Sequence, residues 1–291
     1  MAEIKAEEQE DLRRWDERVA VGTPHHKELF CAMLLDSYDP YRPAIIPWPT
    51  LSEEARQRLA GLPFWDMAIE TEENASRRMQ AFADSTADAR LRQALELNAF
   101  EERRHKEMLG HMMRFYGITL NNEIAPAPIG DPRWAFLRTG YGECFDSFFA
   151  FGLFEMARRA AFFPAELVAV FEPVIQEEAR HNLFFVNWAA YASANFGWPG
   201  RTGFAAQRLA ALAVQIANRA KTAKGGAGKN FTASDAKSLG GDFDLRSFLQ
   251  LCLDEHDRRM APYDARLLRP RFMPAVARLA IRLLPSSAGR G

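Results

Sequence analysis

The sequence predicts an all-α protein, a bundle of long helices, and three observations carry the prediction. Apolar residues recur at steps of three and four over long stretches, and prolines and capping acids sit at the joins between them. The spacing Glu-x-x-His also occurs twice inside such stretches, at Glu102-Arg103-Arg104-His105 and Glu178-Ala179-Arg180-His181. Residues three apart on a helix share a face, so each pair presents an oxygen and a nitrogen ligand together.

In chain order, residues 1–62 read as an N-terminal wrapping segment. A charged helical start precedes Asp39-Pro40-Tyr41-Arg42-Pro43 and Pro47-Trp48-Pro49, where each proline holds its predecessor extended. Residues 63–200 form the expected bundle. Its first helix, Pro63 to Ala83, has the stripe Trp65, Ala68, Glu72, Ala75, Met79, Phe82, one acid among apolar residues, with Glu70 and Glu73 off that face. The turn Asp84-Ser85-Thr86 leads to a second helix with the stripe Leu91, Leu95, Asn98, Glu102, His105, Leu109, Met112. An antiparallel hairpin brings Glu72 and Glu102 to one level. Asp131-Pro132 opens a third helix, cap followed by Pro, expected to run to about Phe163. The fourth carries Phe171, Val174, Glu178, His181, Phe185 and Trp188 on one stripe.

The neighbours Glu101, Arg103, Arg104, Glu177 and Arg180 fall off these stripes, and the pairs Arg77-Arg78 and Arg103-Arg104 read as solvated faces. Phe148, Phe149, Phe151, Phe154, Phe184 and Phe185 read as core packing. Residues 201–291 form a helical extension: a helix from Phe204 to Ala223, a flexible glycine-rich loop at 224–241 without the phosphate-loop pattern, then helices around Leu245–Met260 and Met273–Leu284.

A carboxylate on an apolar stripe is costly unless it is paired or holds a metal. Bundles that bind two metals take a Glu-x-x-His from each of two helices and one glutamate from each of the other two. Glu72 supplies the first of those glutamates. For the second, Glu155 lies on the stripe Trp134, Leu137, Tyr141, Cys144, Phe148, Phe151, Glu155, Phe162, and Glu143 on the stripe Phe136, Gly140, Ser147, Ala150, Phe154. If Pro164 opens a long kinked helix, Glu143 matches Glu178 in depth; if the last ligand helix begins at Pro173, Glu155 does. A lone inward histidine is more often a hydrogen-bonded core residue than a ligand, but four elements in this order favour a metal site.

Glu72, Glu102-x-x-His105, Glu155 or Glu143, and Glu178-x-x-His181 together resemble the ligand set of the ferritin-like di-iron carboxylate superfamily. That superfamily includes rubrerythrins, ribonucleotide reductase small subunits, acyl carrier protein desaturases, multicomponent monooxygenases, aldehyde-deformylating oxygenases and tRNA hydroxylases. The resemblance covers Pro63 to Gly197 and is specific for the site rather than the reaction. The run Leu153-Phe154-Glu155-Met156-Ala157-Arg158 has the look of a ligand helix in this family and favours Glu155. The short Glu155–Glu178 interval keeps Glu143 in play, as a ligand or as an acid behind the ligands alongside Tyr141.

The resemblance implies a ferritin-like four-helix bundle with extra N- and C-terminal helices. It also implies two iron ions, with manganese or a mixed manganese–iron pair as the variant, since carboxylates with imidazoles suit iron or manganese better than thiol-seeking zinc. The implied activity is that of a non-haem di-iron oxidase or oxygenase that uses dioxygen, an electron donor and a small organic substrate. Iron handling or peroxide scavenging on the same ligands, and a metal-free helical interaction module, are the alternative readings.

Composition bounds the partners. A net charge of −1 gives no hint of nucleic-acid binding, which normally shows as a basic patch or stripe. Cys31, Cys144 and Cys252, odd in number and far apart, suit a reducing cytoplasm rather than a disulfide framework. The amino terminus, with Glu3, Lys5, Glu7, Glu8 and Glu10, is no signal peptide, and no uncharged stretch is long enough to span a bilayer. Arg278 and Arg282 on the final helix follow Arg266, Arg269 and Arg271; such a basic end either packs on the bundle, the favoured reading, or lies on a membrane surface. A homo-oligomer is the expected assembly.

Overall fold

The computed structural model describes residues 19–62, 64–120, 125–224 and 244–284. The expected charged start before residue 19 and the glycine-rich loop from residue 225 lie outside the described residues. Among the described residues every regular element is helical. We number the helices α1 (Pro24–Asp36), α2 (Glu53–Ala60), α3 (Trp65–Asp84), α4 (Ala89–Tyr116), α5 (Pro132–Arg159), α6 (Ala165–Asn195), α7 (Trp198–Lys224), α8 (Leu245–Met260) and α9 (Phe272–Leu283). None is long and apolar enough to cross a membrane.

Local chemistry sets the ends that matter for the site. The Asp88 carboxylate accepts from the backbone N–H groups of Arg90 and Leu91 and starts α4, which Gly117 closes in the left-handed region at φ 70°. Asp131 accepts from Trp134 N at 2.7 Å, and Pro132 occupies the first turn of α5. α3 and α4 form the expected antiparallel hairpin. Ser76 Oγ donates across it to Ala99 O at 2.9 Å, and Lys106 pairs with Glu73 at 2.7 Å. Glu72 and Glu102 then lie roughly 18 and 20 Å along their helices from the connecting turn, at one level.

α5 and α6 decide the fourth carboxylate. α6 runs unbroken from Ala165 with Pro173 inside it, so Pro164, not Pro173, opens this helix. An interior proline removes one backbone hydrogen bond; burial of Leu167 and Val168 before it and Ala179 onward after it holds the helix through that loss. Glu143 stands roughly 24 Å and Glu178 roughly 20 Å from the α5–α6 link, whereas Glu155 stands only about 6 Å from it. α5 also ends at Arg159, short of Phe163.

The core fills either side of this level. At one end Phe82 stacks on Phe136 with ring centroids 4.7 Å apart, and Trp188 meets Phe136 edge-on at 4.7 Å. Phe148, Phe151, Phe184 and Phe185 are buried, as core residues should be. α8 and α9 close over α5 through Phe145, Leu249, Cys252, Met273 and Ala277. Between α1 and α2, residues 37–52 carry no regular element other than one tight turn at Pro43–Ile45, which lies against α4.

Candidate metal centre

Six side chains from α3, α4, α5 and α6 converge. The ligating atoms of Glu72, Glu102, His105 and Glu178 lie within 4.8 Å of one another, as do those of Glu102, Glu143 and His181. Glu102 belongs to both groups, so the arrangement is two adjoining subsites with a shared carboxylate. The imidazole centroids of His105 and His181 are 5.8 Å apart. Five of the six expected ligands are therefore brought together.

Glu155 is not among them. Its carboxylate is taken by Arg158 at 2.6 Å and Arg159 at 2.7 Å on its own helix, and these guanidiniums hold its pKa down at about 2. Glu143 occupies the place instead, because the continuous α6 sets the level of Glu178 against the middle of α5 rather than its end. Tyr141 lies elsewhere too: its hydroxyl accepts from Arg208 Nε of α7 at 2.8 Å, and its ring meets Phe185 edge-on.

The histidines face inward with one nitrogen only. His105 Nε2 lies 2.8 Å from Glu177 Oε2, and His181 Nε2 lies 2.9 Å from Glu101 Oε2. With the proton on Nε2, each imidazole offers the Nδ1 lone pair to the centre. His181 Nδ1 is 2.7 Å from Glu102 Oε1, and His105 Nδ1 is 3.3 Å from Glu178 Oε1 and 3.5 Å from Glu72 Oε2. Glu72 Oε2, Glu102 Oε1, Glu143 Oε1 and both Nδ1 atoms are buried without a hydrogen-bond partner among the described residues. Buried polar atoms are costly in that condition, and five of them aimed at one small region are what a pair of cations would satisfy.

Behind the histidines stands a reciprocal ion-pair system absent from the sequence reading. Glu177 of α6 also accepts from Arg104 of α4 at 2.5 Å, and Glu101 of α4 accepts from Arg180 of α6 at 2.7 Å. Each helix thus supplies the carboxylate that orients the other helix's histidine and the arginine that neutralises the other helix's carboxylate. All four side chains are at most 3% exposed: Arg104 departs from the expected solvated face, where only Arg103 is exposed and Arg77 and Arg78 are half-buried, and Glu101, Glu177 and Arg180 are buried although they lie off the apolar stripes. The arginines reach further. Arg104 donates to the carbonyls of Asp39 and Tyr41, and Arg180 to that of Leu34, while Tyr41 Oη donates to Glu177 at 3.2 Å. The N-terminal segment is the cover that buries them.

Electrostatics follow from this packing. Burial pushes the Glu72 carboxyl up to about 8, with Glu102 and Glu178 adding to the rise. Burial likewise holds Glu143 well above the carboxylate range, reinforced by Glu102 and Glu178. Burial opposes the charge on His105, but Glu177, Glu178 and Glu72 override it and hold the imidazole well above its ordinary range. His181 behaves alike against Glu102 and Glu101. Without metal, protons held on Glu72, Glu143 and both imidazoles relieve the crowding of carboxylates in this buried space. Two divalent cations would be balanced by the four carboxylates. Ser147 Oγ donates to Glu178 Oε2 at 3.2 Å and fixes its remaining oxygen.

Comparison of the chain with family models, with curated proteins and with solved structures finds no match.

Proposed function

We propose that the chain is a ferritin-like four-helix bundle, α3 to α6, holding two iron ions, and that it is an oxygen-dependent oxidase or oxygenase of a small organic substrate. One observation carries the reading: the two subsites that share Glu102, built from four carboxylates and two imidazoles, five of whose inward atoms are buried without a hydrogen-bond partner among the described residues. That donor set is neutral with two divalent ions and suits iron or manganese. Two iron(II) ions held there would supply the two electrons that dioxygen reduction begins with.

The chain's own residues do the rest. Glu101 and Glu177 hold the imidazoles in the tautomer that presents Nδ1, and Arg104 and Arg180 form ion pairs with those carboxylates. The covering segment from Leu34 to Tyr41 keeps water from the buried arginines and histidines.

The test is dioxygen consumption by the anaerobically iron-loaded, reduced protein, followed with an oxygen electrode beside a panel of small organic substrates. The reading expects uptake in wild type and its loss in His181→Ala, since no adjacent side chain replaces Nδ1. Two bound irons without oxygen uptake would refute it, and uptake without oxidation of any substrate would favour iron handling instead.

A further inference from the structure

α9 has three faces; the fold buries one, and at the start of a second the Phe272 ring meets that of Phe145 at 5.5 Å. Met273 and Ala277 are buried against α5 and α8, with Ile281 and Leu284 packed beside them. A second apolar stripe, Phe272, Val276, Leu279 and Leu283 at steps of four, three and four, is exposed by 43, 44, 56 and 76%. Scattered exposed apolar residues need no explanation, but four in register on a twelve-residue helix do. Along the flank of that stripe run Arg271, Arg278 and Arg282, all exposed. Among the described residues the only ion pair these three make is Arg278 with Asp257 at 4.0 Å. From Arg266 to the last residue the sequence holds six arginines and no acid.

We infer that this face of α9 is a docking surface for an anionic phospholipid membrane, on which the helix lies in plane. Acyl chains would take the apolar stripe and acidic headgroups the arginine row, which is how interfacial amphipathic helices bind. The helix is about 18 Å long and cannot span a bilayer. A second copy of the chain fits the face less well. Pairing α9 with itself would bring two arginine rows together, and the helix has no acid to neutralise them.

The measurement is vesicle flotation of the full chain. The proposal expects flotation with phosphatidylserine-rich vesicles and little with phosphatidylcholine alone, and release at ~0.5 M salt, where surface attraction is screened. Leu279→Glu/Leu283→Glu and Arg278→Glu/Arg282→Glu, both confined to exposed positions, should each weaken the partition about tenfold or more, with helical content unchanged by circular dichroism. Absence of flotation, or flotation unaltered in both variants, overturns it. So does concentration-dependent self-association abolished by Leu279→Glu, which would make a second copy the occupant.

Discussion

Glu101 Oε2 lies 2.9 Å from His181 Nε2, and Glu177 Oε2 lies 2.8 Å from His105 Nε2, so each of the two central helices orients the inward-facing imidazole of the other. The arginine one residue before each histidine closes the loop on the opposite glutamate. Four buried charges tie α4 to α6, and the same four set the direction of two candidate ligands.

Removing one member should therefore cost both stability and metal. Glu101→Leu takes the nearer carboxylate from buried Arg180 and leaves it Glu177 at 3.6 Å, which should destabilise the metal-free protein by about 3 kcal/mol in urea unfolding. The double variant Glu101→Leu/Arg180→Leu should recover part of that loss, because no charge is left unpaired. The milder Glu101→Gln keeps the shape and should weaken metal binding by about 10–100-fold. Equal metal affinity in wild type and Glu101→Gln would show that the pair is structural only.

Glu143 and Glu155 should separate cleanly. Glu143→Ala should lose or disorder one of two bound metals. Glu155→Ala should retain both and cost only about 0.5–1 kcal/mol, since its partners Arg158 and Arg159 are more than half exposed. Metal counting on both variants decides between them, and the reverse result would return Glu155 to the site.

Metal loading should release protons. In the metal-free cluster the Glu72 carboxyl is pushed up to about 8, and Glu143, His105 and His181 are all held well above their ordinary ranges, so the site favours bound protons. Two divalent ions should displace protons, measurable by titration calorimetry in buffers of different ionisation enthalpy, and affinity should rise with pH. The sign for stability is the opposite in the metal-free protein. Glu72 binds its proton more tightly when folded than when unfolded, so its contribution declines as pH rises from about 4.5 through 8. Thermal melts across that window, about pH 5 to 8, should fall for metal-free protein and stay flat for the loaded form. Parallel curves would contradict the protonated cluster.

Gly140 bears on packing alone. A Cβ there would meet the Phe185 ring at 2.1 Å, so Gly140→Ala should destabilise by about 1–3 kcal/mol while leaving the six ligating residues in place. Unfolding midpoints check this, and a neutral substitution would mean that Phe185 is free to move.

Much of this was legible in the sequence because it depends on periodicity. Glu72, Glu102, His105, Glu178 and His181 each sit on an apolar stripe, and the hairpin between α3 and α4 follows from a short polar turn. Glu143 was harder, since both it and Glu155 lie on inward-looking stripes and the choice turned on Pro173. A proline inside a helix reads as a break unless the packing around it is known. The outer glutamates and arginines were misread for a different reason. A single-stripe view assumes one buried face, whereas α4 and α6 are also covered by α1 and residues 37–41. A signal for them did exist. The full repeat is Glu-Glu-x-Arg-His, at Glu101 to His105 and at Glu177 to His181, and the identical placement of the extra glutamate and arginine in both copies marks them as partners of the histidines.

The central claim is a two-metal centre, and elemental analysis tests it most directly. Protein loaded anaerobically with iron(II), freed of excess metal and assayed together with His105→Ala and His181→Ala, should hold two irons per chain in wild type and fewer in each variant. Wild-type protein that retains no iron or manganese, or that retains the same amount after both histidines are removed, would contradict the account.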